Sequence, residues 1–342
     1  MTTRENLITA LEGGKPERIP FTTYADFGFT QPGLSELEKL GFSQTQYTGV
    51  VKETAINTER VVSKSTWKGR ESEIVTLRTS LGEISQTSVN GWVQEYYLKT
   101  PKDYRVMEHI VRNTMLEADY RLYHEVEKKA GDSGITLIYG RRTPMQTMMV
   151  DYAGLENFAL HMTDDIEDVE ALQEALMDQL IETYRIIADG PGRYVSLLEN
   201  LTAETWGPAK FQKYHMSAYE RVLPILHKKG KKVYSHCDGK LLCIADLMAR
   251  TAIDGIESFT MPPEGDMQYD EARKAWPDKF IWSNISLHLY DLPDAELRAW
   301  IREAVRKAAP DGRHFALAIL EDVPVRWREK IPAILDELAS IG

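Results

Sequence analysis

Hydrophobic positions along the chain follow two rhythms. Between residues 60 and 92 apolar and polar residues alternate, with Gly69, Gly82 and Gly91 as turn signals. A period of two predicts an antiparallel meander of half-buried strands. From about residue 117 onward, short β-type runs alternate with segments of helical periodicity. The runs predict strands at 135–139, 194–198, 232–235, 255–258, 280–283 and 315–319. The periodic segments predict helices at 116–129, 166–188, 208–229, 241–250, 269–275, 295–308 and 325–339. Strands that alternate with helices of this length form a parallel sheet, because a parallel connection needs a long crossover.

The first fifty residues are less regular. Thr2 and Glu5 have the spacing of a capping box ahead of Leu7, Ile8 and Leu11, so the chain is expected to begin with a helix. Pro16-Glu17-Arg18-Ile19-Pro20 is a stiff lead-in to a strand at 21–24. Residues 28–49 read as loop with a short helix at 34–40. Seven strands are thus accounted for, and an α/β fold of the (β/α)8 TIM barrel type, with one strand unassigned, is the simplest closure. It would form a single domain over 1–342, with an N-terminal helix and an antiparallel β excursion near 60–92. A doubly wound open sheet is the competitor; no Gly-x-Gly-x-x-Gly opens a βα unit, which argues against a dinucleotide-binding half.

Composition narrows the function classes. The 342 residues are 43% hydrophobic, enough for a large core. The net charge is −11 without a basic block, which argues against nucleic acid and against an anionic membrane surface as partners. No apolar run approaches the roughly 18 residues of a membrane span, and the first residues lack the apolar stretch of a signal peptide. Cys237 and Cys243 are the only cysteines. A disulfide framework and a thiolate-rich zinc site are excluded, and a cytoplasmic location is expected.

Candidate chemistry lies where strands end. Lys232-Val233-Tyr234-Ser235 runs into His236-Cys237-Asp238-Gly239, and a helix follows. In a parallel barrel that rim is where active sites are built. The other strand ends carry Tyr24 with Asp26, Arg141 with Arg142, Glu199 with Asn200, Glu257, Asn284, and Glu321 with Asp322. A lone polar residue at a strand end is more often a turn residue. A histidine and several carboxylates on consecutive strands are harder to explain so. His236 with two or three carboxylates makes a zinc set with an open position. Asp238 also has a structural reading, as N-cap of the next helix. Cys237 should point away from His236, because strand side chains alternate. Two prolines and a glycine in 260–266 describe a rigid loop over the mouth, and Tyr24, Phe27, Phe29, Trp206 and Met261 are candidates for an aromatic pocket.

At these residues the chain resembles the uroporphyrinogen decarboxylase superfamily over nearly its whole length. The resemblance rests on the opening helix with Pro16-Glu17-Arg18-Ile19-Pro20, on Gly207-Pro208 through Gly230-Lys231-Lys232-Val233, on His236-x-Asp238-Gly239 and on Glu321-Asp322-Val323-Pro324. It implies a (β/α)8 barrel. The decarboxylases themselves carry an arginine-rich segment after the first strand, where this chain has Thr23-Tyr24-Ala25-Asp26-Phe27-Gly28-Phe29. The resemblance therefore points to the corrinoid-dependent methyltransferase branch, which carries zinc. His236 matches the histidine of its coenzyme M enzymes, Asp238 their first cysteine and Glu321 their second, so carboxylates replace both thiolates. The closest sense is the O-demethylase methyltransferases of aryl methyl ethers or N-methyl compounds.

The resemblance implies zinc on His236, Glu257 and Glu321, with Asp238 as fourth ligand or supporting group. Glu199 would orient a ligand, and Tyr24 or Trp206 would stack on the substrate. Asp26, Phe27, Arg141, Met261 and Asn284 would complete the substrate site. The cobalamin would come from a partner corrinoid protein, because the chain has no corrinoid-binding Asp-x-His-x-x-Gly. Barrels of this family often pair, which implies a homodimer. The alternatives are a metal-independent decarboxylase using Arg141 or Arg142 with Asp26, and a corrinoid- or tetrapyrrole-binding module without turnover.

Overall fold

In a computed structural model of the chain, residues 1–25, 33–319 and 322–341 are described. Asp26, Phe27, Phe29 and Glu321 lie outside them. Eight parallel strands close into a barrel: β1 Phe21–Tyr24, β2 Phe42–Thr48, β3 Gly134–Gly140, β4 Tyr194–Leu197, β5 Lys232–His236, β6 Gly255–Phe259, β7 Phe280–Ile285 and β8 Phe315–Ile319. Each strand pairs with its neighbours in chain order, and β1 pairs with β8 through Phe21–Leu317 and Thr22–Ala318. The expected (β/α)8 barrel is the observed one.

The unassigned eighth strand is β2, inside the segment expected to be loop. Its sequence, Phe42-Ser43-Gln44-Thr45-Gln46-Tyr47-Thr48, has no apolar alternation, yet six of these seven residues are buried. Its polar groups are satisfied within the barrel: Thr45 Oγ1 donates to the Thr23 carbonyl at 2.9 Å and Tyr47 Oη to Glu257 at 2.9 Å. Patterning finds strands that bury apolar side chains; this one buries polar ones. The expected helix at 116–129 divides. Thr114–Ala118 pairs as a strand with Val51–Ala55, and the helix begins only at Arg121. The short helix at 34–40 and the Thr2–Glu5 capping box are present as expected.

The chain divides into two compact units. The first comprises residues 1–50, 119–140 and 187–342 and contains the whole barrel. The second comprises 51–118 and 141–186 and contains the meander, observed as four antiparallel strands, Glu59–Trp67, Arg70–Thr79, Gly82–Val89 and Trp92–Glu95. Its last hairpin turns on Asn90 (φ 51°) and Gly91 (φ 82°), the left-handed pair that a two-residue hairpin requires. No helix among the described residues is long and apolar enough to cross a membrane.

The barrel interior is layered. Its N-terminal end is filled by Tyr194, Tyr234, Phe280 and Trp282 with Ile135 and Leu137, and the opening helix Thr3–Leu11 closes it with Leu7, Ala10 and Leu11. Tyr234 Oη donates to the Leu11 carbonyl, and Tyr194 Oη to Glu12. Gly255 lets the aromatics meet, since a Cβ there would lie 2.6 Å from the Phe280 carbonyl oxygen and 2.9 Å from the Tyr234 ring. At the start of β5 and β6, Asp254 accepts from His227 Nε2 (2.9 Å), Lys232 Nζ (2.8 Å) and the Val233 amide (2.8 Å). Burial pushes its carboxyl up, but these donors prevail and hold it below the ordinary value.

Two predictions follow from this packing. Gly255→Ala should cost roughly 1–3 kcal/mol by overpacking, read as a lower urea midpoint with unchanged slope. Asp254 stabilises the fold when ionised, so its contribution is full above about pH 4 and is lost as pH falls through its lowered folded value. Asp254→Asn should therefore flatten the acid limb of a stability–pH curve and cost about 1–3 kcal/mol at neutral pH.

Candidate active site

Above the aromatic floor the barrel interior turns polar around Glu257, which is 1% exposed. Its Oε1 accepts from Tyr24 Oη of β1 at 2.5 Å and from Tyr47 Oη of β2 at 2.9 Å. Its Oε2 accepts from Ser196 Oγ of β4 at 3.2 Å and lies 3.0 Å from His236 Nδ1 of β5. Four strands thus supply four partners to one carboxylate on a fifth. Burial opposes ionisation of Glu257, but the His236 charge and the two tyrosine hydroxyls hold its carboxyl below the usual range. Burial, with the Glu257 charge beside it, drives the Tyr47 hydroxyl well above its ordinary value, so Tyr47 remains a donor.

His236 is fixed from both sides. Burial disfavours its charge, yet Glu257 and Asp238 together push its pKa up to about 10. Nδ1 faces Glu257 and Nε2 lies 3.8 Å from Asp238 Oδ2. Asp238 is 43% exposed, so this end of the array opens toward solvent. Its carboxyl sits below the ordinary value: burial raises it, but His236 and then Asn200 outweigh that. The capping reading of Asp238 does not hold. The amides of Leu241 and Leu242 donate instead to Asp266 Oδ1, at 2.7 and 3.0 Å, from the loop after β6. That same loop holds the β5 turn in place, with Thr260 Oγ1 donating to the Asp238 carbonyl.

A bulge adds Ser258 to the array. The β6–β7 register shifts between Ile256 and Phe259, and Ser258 has φ 65°, a strained value for a residue with a side chain. Two consecutive residues thereby bond within the site. Ser258 Oγ is 3.2 Å from Tyr24 Oη and accepts from Asn284 Nδ2 of β7 at 2.6 Å. Phe259 then packs outward on Tyr269 and Trp276.

Other expected residues have different surroundings. Glu199 is fully buried and accepts from Tyr219 Oη, on the helix Ser217–His227. Cys237 turns away from His236 as alternation requires, its Sγ 3.2 Å from Ser235 Oγ, with its thiol pushed far up by burial. Trp206 is buried edge-on against the His215 ring. Met261 is half-buried. Arg141 and Arg142 belong to the second unit, where Arg141 pairs with Glu53 and Gln179 and Arg142 with Asp151. Sequence reasoning missed Tyr47, Ser196 and Ser258. The first lies on the unrecognised strand, the second reads as a mid-strand residue and the third depends on the bulge. Among the described residues no group of three or more His, Cys, Asp or Glu is arranged to hold a metal; the expected Glu321 lies outside them.

No protein-family model matches the chain, and no curated protein matches it. Among solved structures it is similar to a methyltransferase from Methanosarcina mazei, with a TM-score of 0.57 and 10% identity over 99% of both chains. It also aligns with a structure of the GH20 modules of a pneumococcal exo-β-D-N-acetylglucosaminidase, at TM-score 0.43 and 10% identity over 95% of this chain and 85% of that one. At such identity the first likeness shows a shared fold. The second is too distant to carry an argument.

The Glu257 array is open to a direct test. Tyr47→Phe should leave one carboxylate lone pair unmatched and cost about 1–3 kcal/mol in urea unfolding. Tyr24→Phe removes a second donor to the same oxygen, so the double variant should depart from the sum of the singles by about 0.5 kcal/mol or more.

Proposed function

We propose that the chain is a methyltransferase that moves a methyl group from an aryl methyl ether or N-methyl compound to the Co(I) corrinoid of a partner protein, using zinc. The observation that carries this reading is His236. Its Nδ1 is held by a buried carboxylate and its Nε2 is directed toward Asp238 at the solvent-facing end of a barrel strand. A carboxylate behind a histidine is the arrangement that orients metal-binding imidazoles. The likeness in fold to a methyltransferase supports the same reading.

The donor chemistry fits zinc. His236 Nε2 and the Asp238 carboxylate would hold the ion together with Glu321, and Glu257 would orient His236 rather than bind, because its oxygens already have four partners. Glu257 and Asp238 favour the protonated imidazole of His236, so a metal on Nε2 would release a proton. A bound zinc would supply Lewis acidity to an ether or amine leaving group. The protein's own part is to fix the imidazole, exclude water from the floor beneath it and keep Glu257 ionised. The pairing of Arg141 and Arg142 with acidic residues gives the decarboxylase reading less support.

Protein purified without chelator or added metal should contain about one zinc per chain, and His236→Ala should lose it. Wild-type protein with methoxylated aromatics should consume Co(I) corrinoid, followed by loss of its absorbance. Absence of zinc even after its addition, or full turnover in His236→Ala, would sink the mechanism.

A further inference from the structure

The polarity of the hydrogen bonds around Glu257 can be followed proton by proton. Glu257 is a carboxylate and can only accept, so Tyr24 must donate its one proton to it. Tyr24 Oη can then only accept from Ser258, which spends the one serine proton. Ser258 Oγ must therefore be the acceptor in its contact with Asn284, so the amide presents Nδ2 to it. The direction of the Asn284 amide, normally a matter of assignment, is dictated here from three residues away.

This leaves Asn284 Oδ1 as a fixed acceptor. The residue is 4% exposed, and Oδ1 is buried without a hydrogen-bond partner among the described residues. Asn284 is the penultimate residue of β7, in register with Ala318 of β8. The inner face of β8 offers only the methyl groups of Ala316 and Ala318, which cannot donate. An orphaned buried carbonyl at the rim of a barrel, with small residues beside it, suits a ligand that brings its own donor.

We propose that Asn284 is a specificity-determining residue whose Oδ1 accepts a hydrogen bond from an O–H or N–H of the substrate. The inference rests on the methyltransferase reading for the identity of the reacting group, not for the acceptor. It narrows the substrate class to compounds that carry a donor beside the methyl-bearing group, such as a methoxyphenol. A pocket built around a fixed polar atom rejects analogues that leave it unmatched more strongly than it rejects a misfitting methylene.

The test is calorimetric binding of size-matched ligand pairs with and without the donor. One pair carries a methoxyl group, 2-methoxyphenol and 2-fluoroanisole; the other does not, phenol and fluorobenzene. The donor-bearing member should bind wild-type protein about tenfold or more tightly, and Asn284→Ala should erase the preference by weakening only that member. Should the alanine variant not fold, Asn284→Leu keeps the shape without the acceptor and should erase the preference in the same way. Preference in the phenol pair alone, with neither methoxyl compound bound, leaves the acceptor role standing and removes the methoxyarene reading. No preference in either pair, no binding of any of the four, or a preference that survives in Asn284→Ala or Asn284→Leu overturns the proposal.

Discussion

The constraint on which the barrel mouth depends is one buried negative charge. A carboxylate inside a protein is costly unless it is paired and fully hydrogen-bonded. Glu257 meets that condition with Tyr24, Tyr47, Ser196 and His236, drawn from four different strands. Each donor is in turn fixed by the need to serve it. The tyrosines stay protonated, His236 presents Nδ1 to it and Ser258 is left to accept from Asn284. The electrostatics of the site therefore descend from a single ionised group rather than from independent choices along the rim.

The remaining architecture isolates and aims that charge. The aromatic floor and the helix Thr3–Leu11 close the end of the barrel below it. Above it the Ser258 bulge turns an extra hydroxyl into the array, a local strain supported by hydrogen bonds on both sides. The loop after β6 contributes from outside. Asp266 caps the helix that follows β5, which relieves Asp238 of that task and leaves its carboxylate facing His236. The solvent-facing end of the array is thus the end where chemistry can be delivered.

Much of the fold was legible along the chain. The apolar runs marked six barrel strands because those strands bury apolar side chains against helices, and the proline-bounded lead-in marked a seventh at 21–24. Both passed over Phe42–Thr48, where Ser43, Thr45, Gln46 and Thr48 are buried and Thr45, Gln46 and Thr48 make side-chain hydrogen bonds. The rim residues His236, Asp238 and Glu257 were also legible, as polar groups set at strand ends. Their division of labour was not. Glu257 reads as one more potential ligand until its four partners are seen, and Asp238 reads equally well as a cap.

The sequence alone determined the alternation of strand and helix, the end of each strand at which polar groups gather and the opposite facing of Cys237 and His236. These are local properties, set by periodicities of two and 3.6 residues. Only the tertiary structure decided which groups meet. Tyr24 and Tyr47 reach Glu257 from 233 and 210 residues away, and Ser196 from 61. Closure of the barrel brings them together, and a one-residue bulge decides that Ser258 joins them. No local pattern encodes such pairings, because the free energy that selects them arises when the last strand is in place and the buried carboxylate has no water to turn to.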